Sequence, residues 1–397
     1  MSYIDCCDWE KCNQCGICLS KCPVMKMGVK EARLEVKRLL AGEPTARVLS
    51  ECTLCMSCNG FCSTGLRPYE LILQRVSEQA DRKKTVPAFL PYMLQGAPGQ
   101  NFFQDLYAGL PAPDREILKK WGEPPKPSKE VLWIGCIGRN FAKDLENSKV
   151  LAGLPKFSPS HLCCGELHYR SGQWDAFLAN TERLVSALGL LKTDRVVCYC
   201  GSCCTYLSKI IPQVAGRALP FETISIYQWL LEKFEAGELT LKNPITFKAA
   251  IQESCYVSEL GENFGEILRK IYKAAGGDFV ELQHNRSCAL SCGAASIARD
   301  FKVGGVIRQQ ADKFREIKAA GVKETALNCP GCYLTMAPQS WIRGVKLRYM
   351  PEELLRAFGD DITTPISGMI PSVMKAFAKR LPLAVKKMDA DQVAKSL

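Results

Sequence analysis

The sequence predicts an α+β multidomain protein: an α-helical metal-binding block followed by two α/β repeats. Three observations carry that prediction. Ten of the 22 cysteines fall within the first 80 residues, most of them in two identically spaced runs. Later cysteines recur at a nearly constant offset, and the stretches between them alternate strand-like apolar runs with helical patterns. A chain of 397 residues, 47% hydrophobic, is long enough for two or three domains that each bury a core. The landmarks divide it into 1–83, a metal block; 84–129, a proline-rich linker; 130–243 and 244–365, the two repeats; and 366–397, a basic tail.

The opening Met1-Ser2-Tyr3-Ile4-Asp5 does not read as a secretory signal, and no apolar run approaches the roughly 20 residues that span a bilayer. A cytoplasmic protein is expected, with any attachment to the membrane face made through partners. In a reducing compartment C-x-x-C spacing points to metal ligation rather than disulfides. The formal charge of +11 overstates the basicity, since a metal site ligated by thiolates is net negative and must be counted with its ligands. With no recognition motif present, nucleic acid is not an expected partner.

Cys12-x-x-Cys15-x-x-Cys18-x-x-x-Cys22-Pro23 is a full bacterial ferredoxin signature, and Cys52-x-x-Cys55-x-x-Cys58-x-x-x-Cys62 repeats it, with Ser63 in place of the second proline. The two-residue spacing wraps three thiolates around one cube while the fourth cysteine reaches the other. Cys12, Cys15, Cys18 and Cys62 should hold one [4Fe-4S] cubane, and Cys52, Cys55, Cys58 and Cys22 the second. Zinc binds C-x-x-C pairs too, but the triple spacing with C-x-x-x-C appended twice disfavours it. Cys6 and Cys7 fall outside both runs and are expected to be unligated. Helices are predicted over 31–40 and 68–80, which makes this an α-helical two-cluster domain.

Eight prolines between 84 and 129 allow only short, interrupted elements, while Phe89, Tyr92, Phe102, Phe103 and Tyr107 argue that the linker docks on the next domain. From Val131 the chain repeats itself. Cys136, Cys164, Cys200 and Cys203 recur as Cys255, Cys292, Cys329 and Cys332, at offsets of 119, 128, 129 and 129 residues. Strands are expected at 131–135, 195–199, 245–251 and 325–328, with helices at 174–188 and 264–274, giving parallel α/β units. Ligands gather beyond the carboxyl ends of such strands, where these cysteines fall.

In the first repeat Cys163-Cys164-Gly165 lies between Cys136 and Cys200-Gly201-Ser202-Cys203, so three loops supply five thiolates. Five exceed the need of one cube, and adjacent cysteines bridge neighbouring irons more easily than they chelate one. Gly165 suits a positive φ or a close approach to the metal. Here the chain resembles the CCG-domain iron-sulfur family, the cysteine-rich domains found in heterodisulfide reductases; the cysteine-rich component of the anaerobic glycerol-3-phosphate dehydrogenase and the glycolate oxidase iron-sulfur subunit look similar too. The resemblance covers nearly the whole chain. It implies that Cys136, Cys163, Cys164, Cys200 and Cys203 hold a noncubane [4Fe-4S] cluster with a catalytic role. Cys198, Tyr199 and Cys204 are read as supporting or core residues.

The second repeat departs from the family pattern, because Ser291 stands where the first of the paired cysteines belongs. Cys255, Cys292, Cys329 and Cys332 remain for an iron-sulfur cluster, zinc or nothing, and Cys288 joins them only if the backbone bends toward the metal. His161 and His168 flank the first pair and one is a candidate proton donor; no histidine is expected as a ligand. No dinucleotide or phosphate-binding motif appears, so no flavin is expected in this chain and electrons must come from a partner. The tail sets Lys375, Lys379, Arg380, Lys386 and Lys387 among Met374, Phe377, Leu381, Leu383 and Val385, an amphipathic pattern interrupted at Pro382.

The resemblance implies an iron-sulfur subunit of an anaerobic oxidoreductase complex, heterodisulfide reductase-like, passing electrons between a flavoprotein partner and the first repeat, where a disulfide or similar acceptor reacts. Two alternatives stand beside it. One is a subunit carrying electrons from a hydroxy-acid or glycerol-phosphate dehydrogenase to membrane quinone through a membrane subunit; the other is a non-catalytic metal-binding scaffold.

Overall fold

The computed structural model describes residues 2–83, 85–95, 101–297, 303–384 and 386–389. The first block is helical, with longer helices Val29–Ala41 and Pro68–Lys83, the short helical turn Ile17–Ser20 before the first of them, and Val48–Glu51 and Ser57–Phe61 between the two. Its two cysteine runs share one backbone form. Gln14 and Leu54, each just before the second cysteine of its run, have φ of 56° and 55°, and Gly16 and Met56, just after it, have 74° and 67°. A left-handed leucine or methionine costs of order 1–2 kcal/mol, so something must over-determine these loops. Leu19, Leu39, Leu54, Leu71 and Ile72 are buried between them, each worth about 1.5–3 kcal/mol of transfer free energy.

Beyond the linker come two four-stranded parallel sheets of identical topology. The strands are β1 (Thr85–Pro87), β2 (Glu130–Trp133), β3 (Lys156–Phe157), β4 (Arg195–Cys198), β5 (Glu222–Ser225), β6 (Lys248–Gln252), β7 (Asp278–Val280), β8 (Glu324–Leu327), β9 (Lys346–Tyr349) and β10 (Lys387–Asp389). The first sheet is ordered β3-β2-β4-β5 and the second β7-β6-β8-β9. Val131-Leu132-Trp133, Val196-Val197-Cys198 and Ala249-Ala250-Ile251 are continuously buried, as strands covered on both faces must be. In both sheets the chain turns to one side of its first strand and then to the other. The crevice opened by that reversal lies beyond the carboxyl ends of β2 and β4, and of β6 and β8.

Register does the rest. Trp133 pairs with Cys198 and Gln252 with Leu327, so Cys136 and Cys200, and likewise Cys255 and Cys329, leave their sheets side by side at the crevice. The helix Trp174–Leu188 has the predicted bounds, whereas the strand expected from 245 begins only at Lys248; the Ile245 N–H is bonded to the Ala275 carbonyl, outside the sheet ladder.

The repeats clasp each other reciprocally. Asp144 of the first accepts hydrogen bonds from the backbone N–H and hydroxyl groups of Thr363 and Thr364, while Asp360 of the second accepts from Ser148 Oγ and the N–H groups of Lys149 and Val150. The linker docks as expected, burying Phe89, Tyr92, Phe102, Phe103 and Tyr107. The helix Ile370–Ala384 continues past Pro382, which stands in its last turn. Its apolar face is not free: Phe377 stacks on Phe89 at 5.5 Å and Arg380 lies over Tyr92. Beside it β1 and β10 pair antiparallel. Val385 lies outside the described residues, and Leu381, Leu383 and Lys387 are described in backbone only.

Candidate metal centres

Each ferredoxin run lines a cavity. Cys12, Cys15, Cys18 and Cys62 face one with about 510 Å³ of empty space, walled by Leu19, Val36, Leu39 and Leu71. Cys22, Cys52, Cys55 and Cys58 face a second of about 350 Å³, which Cys18 also reaches. The exchange of fourth cysteines is visible in the electrostatics. Burial and then the neighbouring Cys62, Cys12 and Cys15 push the Cys18 thiol up to about 12. Cys22, raised by burial to about 11, has Cys55 as its largest cysteine neighbour. Among the described residues no three such side chains close on a point suited to a single ion. Four sulfurs around an apolar cavity fit a cluster that must be shielded from water.

In the first repeat the five cysteines converge, all but the half-buried Cys136 fully inside. Their sulfurs form one chain. Cys163 lies between Cys136 and Cys164, and Cys203 between Cys164 and Cys200; these hydrogen-bonding neighbours hold Cys163 and Cys203 well below the ordinary thiol range. Two glycines make room. Gly135, at φ 76°, would place a Cβ 2.8 Å from Cys203 Sγ; Gly165, at φ 82°, would place one 2.9 Å from Asn180 Nδ2, which donates to the Cys163 carbonyl. The helix that starts after Cys200 contains a π-helical turn over Tyr206–Ile210, a feature frequent at functional sites and absent from its counterpart Pro330–Arg343.

Three residues at this site escape sequence reasoning. The buried Trp133 indole N–H has no ordinary hydrogen-bond partner and is turned on Cys203. Arg139, without exposure, donates to Ser158, Leu162 and Tyr107, and Tyr107 in turn donates to the Cys136 carbonyl at 2.7 Å. The linker thus roofs the site, and a fixed cation stands beside Cys136 and Cys163. The only hint in the sequence is Arg139 three residues after Cys136. Cys198 has Cys204 as its hydrogen-bonding neighbour, with Cys203 and Cys200 of the five also nearby, and Tyr199 turns toward Tyr349 and Glu352. His168 is buried with Nδ1 unpartnered; burial lowers its value to about 4. At pH 7 it is therefore neutral, without the second ring proton that an imidazolium would carry.

The second repeat gathers four. Cys292 accepts from Cys332, which brings it down to about 7, and Cys332 also meets Cys329; Cys255 accepts instead from Arg170 at 3.2 Å. Gln310 Nε2 donates to the Cys292 carbonyl, the counterpart of Asn180. Ser291 is buried and faces Thr53 of the ferredoxin block at 3.5 Å. Cys288 ends the turn Arg286–Cys288 at the exposed surface, away from the buried set. Cys6 and Cys7 lie together, sulfurs 3.7 Å apart, outside both cavities.

Residues 8–66 match the family model for a 4Fe-4S dicluster domain, and 131–208 and 249–337 both match that for a cysteine-rich domain, abbreviated CCG. The chain carries a 4Fe-4S dicluster domain followed by two cysteine-rich CCG domains. It is 22% identical to the probable glycolate oxidase iron-sulfur subunit of Bacillus subtilis, over 82% of this chain and 87% of that one. It is 25% identical to one of the subunits of dihydromethanophenazine:CoB–CoM heterodisulfide reductase from Methanosarcina barkeri, over 72% and 78%. It is 21% identical to one of the subunits of fumarate reductase (CoM/CoB) from Methanothermobacter marburgensis, over 88% and 72%. No described helix of this CCG-domain protein is long and apolar enough to cross a membrane.

Proposed function

We propose that this chain is the electron-carrying subunit of an anaerobic oxidoreductase complex, heterodisulfide reductase-like, passing electrons between a flavoprotein partner and the five-cysteine site of the first repeat. Cys12, Cys15, Cys18 and Cys62, and Cys52, Cys55, Cys58 and Cys22, would hold two cubane clusters; Cys136, Cys163, Cys164, Cys200 and Cys203 would hold a noncubane one. Such a group supplies one-electron steps suited to a disulfide or similar acceptor. The observation that carries the reading is the complete, connected set of five sulfurs at the switch crevice, beside the fixed cation Arg139. Arg139 stabilises negative charge on Cys136 and Cys163, Trp133 offers an N–H to Cys203, and Tyr107 closes the linker over the site against water.

A second reading, a subunit delivering electrons from a hydroxy-acid dehydrogenase to membrane quinone, draws support from the similarity to the glycolate oxidase iron-sulfur subunit over most of both chains. An anaerobic assay of iron, sulfide and zinc per chain tests the common core of both. About twelve or sixteen irons support it, and about eight would leave the first repeat empty and refute it. Reoxidation of the flavoprotein should then stop in Cys15→Ser or Cys55→Ser; continued reoxidation would favour a scaffold. Reduction of a disulfide, rather than of a quinone, by the loaded complex separates the two readings.

A further inference from the structure

The helix Glu166–Arg170 starts directly after the paired cysteines of the first repeat, yet its last side chain belongs to another site. Arg170 has no exposure. Its Nη1 donates to the Leu54 carbonyl, inside the second ferredoxin run, and its Nη2 donates to Cys255 Sγ at 3.2 Å and faces Met56 Sδ at 3.8 Å. Nε lies 3.0 Å from Glu166 Oε1, and the guanidinium sits 5.2 Å from the Tyr256 ring centroid. One side chain therefore touches the second ferredoxin loop and the first cysteine of the second repeat. Ser291 and Thr53 meet between the same two places. The second site also adjoins the first: a Cβ on Gly201, next to Cys200, would lie 3.8 Å from the ring of Tyr256, next to Cys255, and Tyr227 of the first repeat donates to the Asn328 carbonyl, next to Cys329.

We infer that the second-repeat site is an electron relay between the second ferredoxin run and the first-repeat site, and that Arg170 is the positioning residue that sets its potential. The inference rests on the function proposed above. The guanidinium meets the Glu166 carboxylate at Nε, and that carboxylate also accepts from Tyr256 Oη. Its Nη2 is directed at Cys255, where it would favour negative charge gathered on the sulfur. Clusters held by Cys52, Cys55, Cys58 and Cys22 and by Cys255, Cys292, Cys329 and Cys332 would exchange one electron, the first being oxidised and the second reduced, with no bond made or broken and no proton taken up. The site gains one negative charge, and Arg170, hydrogen-bonded to a ligand sulfur, stabilises that reduced state and raises the potential. On this account Ser291 is no defect: a relay needs four sulfurs, and the place of the fifth is taken by a contact with the donor loop.

The test is a potentiometric titration followed by electron paramagnetic resonance on the full-length holoprotein, with iron, sulfide and zinc assayed on the same samples. Wild type should carry about sixteen irons. R170Q should keep them and shift one midpoint to lower potential, leaving the others in place, and R170K should shift the same midpoint less. Unmoved midpoints in iron-replete R170Q overturn the inference. If R170Q loses iron, R170K decides by the same criterion. About twelve irons in wild type, with or without zinc, overturns the relay and leaves the proposed function standing, whereas about eight refutes the proposed function itself.

Discussion

Gly135 shows how little freedom the first-repeat site has. Its φ of 76° and the 2.8 Å that would separate an added Cβ from Cys203 Sγ leave no room for a side chain. Gly135→Ala is expected to cost about 1–3 kcal/mol and to lose about four irons while the ferredoxin irons stay, as an iron and sulfide assay would read. Glu352 gives a pH signature. Burial raises its carboxyl to about 7, opposed by the Ile366 N–H and Arg356, with Glu353 and Asp144 as further charges nearby. Its folded value lies above the 4.5 of a free glutamate, so its contribution to stability is complete below about 4.5 and disappears as pH rises through 7. The loss is at most about 3 kcal/mol, and Glu352→Gln should flatten it in urea midpoints taken between about pH 5 and 8.

At the scale of elements, the reciprocal aspartates join segments that are far apart in sequence. Burial alone would raise the Asp144 carboxyl, but the Thr363 and Thr364 donors more than offset it and hold it below the ordinary range. Asp144→Ala leaves those donors without an acceptor and is expected to destabilise the protein by about 2–3 kcal/mol in denaturant titration. Asp144→Asn, which keeps an acceptor, should cost less. Neither aspartate is marked by its sequence neighbourhood, because the partner of each belongs to the other repeat. The tail helix teaches the same lesson: its apolar spacing is legible, but that the face is covered by Phe89 and Phe102 depends on where the linker runs.

At the scale of the molecule, the ferredoxin block depends on its metals more than the sheets do. Its cysteine loops hold left-handed residues and helices of four or five residues around open cavities, whereas β2 to β9 have their own hydrogen-bonded ladders and buried strands. Anaerobic chelation is therefore expected to expose 8–66 to protease or hydrogen exchange while the cores of 131–208 and 249–337 stay protected. Equal loss of protection in all three would contradict this.

The cysteine spacing by itself determined the two-cluster block and the repeat, since a tight loop around a cube imposes local spacing and a duplicated α/β unit imposes a constant offset. It also marked Gly165, whose positive φ is a property of its own backbone. Tertiary structure alone decided what stands around the sulfurs. Trp133, Arg139 and Arg170 are apolar-strand or helix residues by pattern, and they reach the cysteines only because strand register, the roof made by the linker and the docking of the ferredoxin loop carry them there. Contacts between distant segments leave no period in a sequence, and for that reason the environment around each site became visible only in the fold.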